Sequence, residues 1–112
     1  MHFDLQKPGI IYLLQNDDLG ARKVGIANNA GARLSSYGSD WVIVYVAGHD
    51  VGRALKRSET ALLNFLRLGH KLQPRVAAKD LPRGGASETF SSTEGPSNES
   101  LIELVDALLG YA

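Results

Sequence analysis

Six consecutive residues, Trp41-Val42-Ile43-Val44-Tyr45-Val46, are all aromatic or β-branched. Such side chains suit an extended backbone and pack well on a pleated surface, so the run predicts a strand. Neither of its faces is polar, which predicts a central strand covered on both sides. A sheet around it needs partners, and two lie upstream. Ile10-Ile11-Tyr12-Leu13-Leu14 follows Pro8-Gly9 as a short apolar run. Lys23-Val24-Gly25-Ile26 follows the turn-forming Asn16-Asp17-Asp18-Leu19-Gly20. Together they read as a hairpin.

Helical patterns fill the gaps. Asn28 or Asn29 can cap a short helix that holds Arg33, Leu34 and Tyr37 and stops near Gly38, with Gly31 weakening its start. His49-Asp50 opens the longest helical pattern, which ends at Gly69. In it Val51, Ala54, Leu55, Leu62, Phe65 and Leu66 recur at helical spacing, while Arg53, Lys56, Arg57 and Arg67 project the other way and should face solvent. From 70 to 96, Pro74, Pro82, Gly84-Gly85 and a Ser/Thr/Gly-rich stretch read as loop, with room for a strand around Glu88-Thr89-Phe90. Ser97 or Asn98 caps a last amphipathic helix, with Leu101, Ile102, Leu104, Val105, Leu108 and Leu109 turned inward. The expectation is one α+β domain over residues 1–112: a motif-bearing core at 8–68, a loop-rich segment at 70–96 and a C-terminal helix at 97–110. Its sheet is expected to be small, three-stranded and antiparallel, flanked by helices.

Cysteine is absent from the 112 residues, which excludes disulfides and thiolate metal sites. No stretch reaches the roughly 20 apolar residues of a membrane span, and the polar start resembles no signal peptide. A reducing cytoplasm is the expected setting. Net charge is zero, but the charges are sorted along the chain. Residues 53–83 hold eight basic side chains against Glu59 and Asp80, and residues 84–112 hold five acids with no Lys or Arg. A basic middle of this kind is either a phosphate-binding footprint or a solvated helix face.

Glu59 is the most informative single position. It follows Leu55 by four residues and precedes Leu62 by three, which sets it within the apolar side of the long helix. A buried carboxylate needs a cation, whether arginine or metal; at the edge of the stripe it would reach water instead. Arg33 and Tyr37 are four apart and share a helix face suited to an anion such as phosphate, or form a plain surface pair. Tyr12 points the same way as Ile10 and Leu14 and reads first as a core tyrosine. His2, His49 and His70 lack metal-ligand spacing, and Gly84-Gly85 has no helix after it to make a phosphate loop.

In order and spacing these residues resemble the GIY-YIG nuclease superfamily. Ile10-Ile11-Tyr12 looks like its first motif, with Asn16 four residues on. Lys23-Val24-Gly25 is similar to its second, in a branch that reads Lys-Ile-Gly there. Arg33, ten residues after Lys23, matches the family arginine, Tyr37 a position commonly His or Tyr, and Glu59 the metal-binding glutamate. Ser87-Glu88-Thr89-Phe90 is similar to a Glu-aromatic piece near the end of some members. The sequence departs from the pattern at Ile10, at Lys23 and at Ala27. No late asparagine fits, Asn64 being too close to Glu59 and Asn98 too far.

The resemblance implies metal-dependent hydrolysis of DNA phosphodiesters. Glu59 would hold one Mg²⁺ or Mn²⁺, and Arg33 would stabilise transition-state charge. Tyr12 would orient or deprotonate water, with Lys23 beside it lowering the phenol's pKa, and Tyr37 would complete the phosphate-facing surface. Arg53, Lys56, Arg57 and Arg67 would bind DNA. Sequence recognition would come from a homodimer, a partner protein or a structure in the DNA. The alternatives are a catalytically degenerate nucleic-acid-binding module and a protein-interaction domain docking through its acidic last helix.

Overall fold

The hairpin forms along its whole length. β1 (Gly9–Asn16) pairs antiparallel with β2 (Ala21–Ala27), Tyr12 opposite Gly25 and Leu14 opposite Lys23. Asn16 shapes the turn, its Oδ1 accepting the Leu19 N–H at 3.1 Å, and Gly20 closes it at φ +60°. This computed structural model describes residues 3–75 and 88–110. His2, Gly84-Gly85, Ser87 and the part of the loop-rich segment from 76 to 87 lie outside them.

β3 (Val42–His49) pairs antiparallel with β1, and β4 (Thr89–Ser91) pairs antiparallel with β2, giving the order β3-β1-β2-β4. Two expectations are corrected. The sheet has four strands, not three, the fourth growing from the Glu88-Thr89-Phe90 stretch. The apolar run 41–46 lies at an edge, not at the centre, with Val42 62% and Ile43 51% exposed. Since β2 occupies one side of β1, β3 takes the other and meets no strand beyond among the described residues. Its Val44, Tyr45 and Ala47 still pack on the core.

The central strands divide their side chains between two apolar clusters, as alternation requires. Ile11, Leu13 and Val24 join Leu55 and Leu62 of α2 (Gly52–Asn64) and Leu101 and Val105 of α3 (Asn98–Gly110). Tyr12, Leu14 and Ala27 meet Leu34 of α1 (Ala30–Ser35), together with Tyr37 and Trp41. Fully burying a leucine such as Leu55 or Leu101 contributes roughly 1.5–3 kcal/mol, so these contacts set where the helices sit.

Helix boundaries follow local chemistry. Asn29 caps α1, its Oδ1 accepting the Ala32 N–H at 3.1 Å. The helix stops at Ser35, so Tyr37 stands just beyond it, before Gly38 at φ +77°. α2 begins at Gly52 rather than His49-Asp50, because His49 is the last residue of β3 and its Nδ1 accepts the Val51 N–H at 3.0 Å. Its regular turns end at Asn64, and a wider π-helical turn carries the chain from Phe65 to Gly69, burying Leu66. That turn rotates Arg67 inward. Contrary to the expected solvent-facing position, Arg67 donates to the Leu72 carbonyl at 3.0 Å and the Thr89 carbonyl at 2.7 Å. Ser97 caps α3 by accepting the Ser100 N–H at 3.1 Å. No helix among the described residues is long and apolar enough to cross a membrane.

Candidate active site

The site starts from a glycine. A Cβ at Gly25 would collide with the ring and hydroxyl of Tyr12, so the ring can lie across β2 only because that position has no side chain. There the Tyr12 hydroxyl shares a 2.9 Å hydrogen bond with the Tyr37 hydroxyl. The two rings meet edge to face at 6.0 Å, and Trp41 packs on Tyr37 in the same way at 6.2 Å. Strand and helix end are thereby joined through a pair of phenols.

Lys23 lies beside this pair. It is 1% exposed, and its Nζ stands 5.7 Å from the Tyr12 ring centre and 5.6 Å from that of Tyr37. A buried ammonium needs a counter-charge, and Glu88 provides one at 2.8 Å. Glu59, 3% exposed on α2, is held by Lys56 Nζ at 3.2 Å. Burial raises the Glu59 carboxyl above its ordinary pKa, and the charge of Glu88 raises it further, against the opposing pull of Lys56 and Lys23. Two ion pairs, Lys23–Glu88 and Lys56–Glu59, therefore lie within electrostatic reach of each other.

The structure reverses the expected effect on Tyr12. Burial pushes its pKa far above that of an ordinary phenol, the Tyr37 hydrogen bond and charge add to the rise, and Glu88 adds again, with Arg33 opposing. Tyr12 is thus a neutral hydroxyl that can donate and accept hydrogen bonds. The guanidinium of Arg33, half-buried on α1, is thus within electrostatic reach of the Tyr12 phenol.

Tyr12, Lys23 and Tyr37 are brought into contact, and Glu59 and Arg33 join them electrostatically. Of the basic residues on α2, Arg53, Lys56 and Arg57 are exposed. Arg67 is committed to backbone carbonyls and is no part of that surface. Asn98, at the start of α3, accepts from Arg22 at 3.0 Å and donates to Gln15 at 3.0 Å.

Glu88 is the site residue that sequence reasoning passed over. Its only signal was the Glu-aromatic stretch, and its role depends on β4 bringing it back beside β2. No group of three or more His, Cys, Asp or Glu is placed to hold a metal among the described residues. The donor chemistry present is a desolvated carboxylate, Glu59, with a second, Glu88, in electrostatic reach; such oxygen donors suit a hard divalent cation. No family model, curated protein or solved structure matches the chain.

Proposed function

We propose that this protein is a metal-dependent endonuclease of GIY-YIG type that hydrolyses DNA phosphodiesters. One observation supports the reading above all. Tyr12, Lys23, Arg33, Tyr37 and Glu59, drawn from two strands, two helices and a helix end, share one electrostatic neighbourhood. An ion pair built for stability alone would need neither the paired phenols nor the glycine beneath them.

On this reading Glu59 holds a Mg²⁺ or Mn²⁺ ion, with Glu88 in reach. When bound, the ion supplies charge neutralisation at the phosphate and at the leaving 3′-oxygen. Arg33 offers its planar guanidinium to the extra negative charge of the transition state. Lys23 sets a fixed positive charge at the wall of the site. Tyr12, kept neutral by burial, orients the attacking water through its hydroxyl, and Tyr37 fixes that hydroxyl. Arg53, Lys56 and Arg57 on the open side of α2 would take the flanking phosphates. Sequence recognition falls to a partner protein, a second copy or a structure in the DNA.

Conversion of supercoiled plasmid to nicked circles in Mg²⁺, stopped by chelator, is the expected result. A salt-sensitive gel shift with no cleavage would replace the nuclease by a binding module of the same fold. Neither cleavage nor shift would leave a protein-interaction domain.

A further inference from the structure

We propose that Glu88 is a positioning residue for Lys23: its carboxylate, delivered by β4, fixes the buried ammonium against the paired rings of Tyr12 and Tyr37. The catalytic meaning of this rests on the nuclease reading; the placement rests on geometry. A lysine side chain has four rotatable carbons and sweeps a wide volume when unrestrained. Here it is held at one point. The Lys23 side chain is 2% exposed and that of Glu88 31%, so the acid is partly open to solvent while the ammonium is enclosed. Among the described residues, the other polar contact of Nζ, besides Glu88 at 2.8 Å, is the Val24 carbonyl at 3.5 Å, a long and weak one. The tyrosine rings bound the other side, at 5.7 and 5.6 Å.

The placement of Glu88 is set by register. Lys23 pairs with Thr89, and Glu88 immediately precedes that residue. Thr89 is itself clamped: its carbonyl accepts from Arg67 at 2.7 Å, and its hydroxyl oxygen accepts the Arg75 N–H at 3.0 Å. The inward turn of Arg67 therefore braces the start of the strand that carries Glu88. The short fourth strand buries Phe90 in the core and, at its start, sets the position of this carboxylate. With it in place, Lys23 presents a single fixed charge to a phosphate lying at the phenols. Without it, the charge has no fixed address.

Side-chain NMR tests the placement without relying on activity. The wild-type protein is expected to give a slowly exchanging ammonium signal for Lys23, assigned by its loss in Lys23→Met. Glu88→Gln should lose that signal and shift the Tyr12 and Tyr37 ring resonances, with the backbone spectrum elsewhere dispersed as before. Glu88→Asp, which keeps the charge, should retain part of the signal. In cleavage of plasmid DNA, Glu88→Gln should lower kcat on the order of 10–100-fold with KM little altered, as for other outer partners of a catalytic group. That loss should vanish in a Lys23→Met background, because the two residues act as a unit. The double variant buries neither charge, so it serves if Glu88→Gln alone does not fold. Unmoved lysine and tyrosine signals in Glu88→Gln would overturn the proposal. So would a cleavage loss that persists in the Lys23→Met background, which would make Glu88 act on the metal directly. A wild-type protein that cuts no DNA would overturn the nuclease reading alone, and the NMR comparison would still decide the role of Glu88.

Discussion

At Glu59 the demands of folding and of the proposed chemistry pull in opposite directions. Burial and the neighbouring Glu88 raise its pKa above the unfolded value, so the folded protein binds more protons in the interval between the two. Stability is therefore present below the unfolded pKa, about 4.3, and falls as pH rises through that window. Glu59→Gln removes the cost. It is expected to melt on the order of a few °C above wild type at neutral pH, with the gap closing on acidification, while metal-dependent cleavage disappears. Thermal melts across a pH series check this; a variant less stable than wild type at neutral pH contradicts it. The apolar neighbours Leu55 and Leu62 placed Glu59 in or at the edge of the stripe, and the sequence left open whether it is buried or reaches water; it is buried. The burial of Lys23 was not legible, since a charged residue on a strand reads as solvent-facing until its partner is known, and that partner lies 65 residues away. The phenol of Tyr12, expected to be acidified by Lys23, is instead raised by burial and by its hydrogen bond to Tyr37.

Among the elements that carry the proposed site, β2 and α2 can each be tested. Gly25→Ala must displace the Tyr12 ring from β2 and hence from its bond to Tyr37. The expected outcome is a loss of roughly 1–3 kcal/mol in stability from overpacking, together with loss of cleavage, measured by denaturant unfolding and plasmid nicking. Wild-type values of both would show that the ring has room to move without consequence. For α2, the Lys56→Gln/Arg57→Gln double variant is expected to flatten the salt dependence of DNA affinity by roughly one to two units of log-log slope. Arg67→Gln should leave that slope alone and lower stability, because Arg67 is spent on the Leu72 and Thr89 carbonyls. A gel-shift salt titration of the three proteins separates these outcomes. Hydrophobic periodicity foretold the hairpin, the long helix and the last helix. It erred where an element changes character: at His49, where a strand outlasts its apolar run, and at Phe65, where the helix widens and turns an arginine inward.

On the scale of the whole molecule, the succession of strands and helices was readable, but sheet order was not. Six apolar residues in a row suggested a centre, yet the middle of the sheet belongs to β1 and β2, which bury Asn16, Arg22 and Lys23 along with their apolar residues. Arg22 is accommodated by donating to the carbonyls of Ser91, Pro96 and Glu94, which ties the hairpin to the approach to α3. These long-range partners come from the segment after residue 88, whose local sequence reads as loop, so the pattern of the hairpin alone could not announce them. The same return of the chain brings Glu88 to Lys23 and completes the cluster around the phenols. The most direct test of the account is the nicking of supercoiled plasmid by wild type and Arg33→Ala, side by side in Mg²⁺. The account expects nicking by wild type that chelator abolishes. It expects a rate lower by on the order of 10²–10³-fold for Arg33→Ala, the usual cost of losing one transition-state contact, with DNA binding little changed. Plasmid left supercoiled by the wild type in Mg²⁺, or cut equally fast by Arg33→Ala, would contradict it.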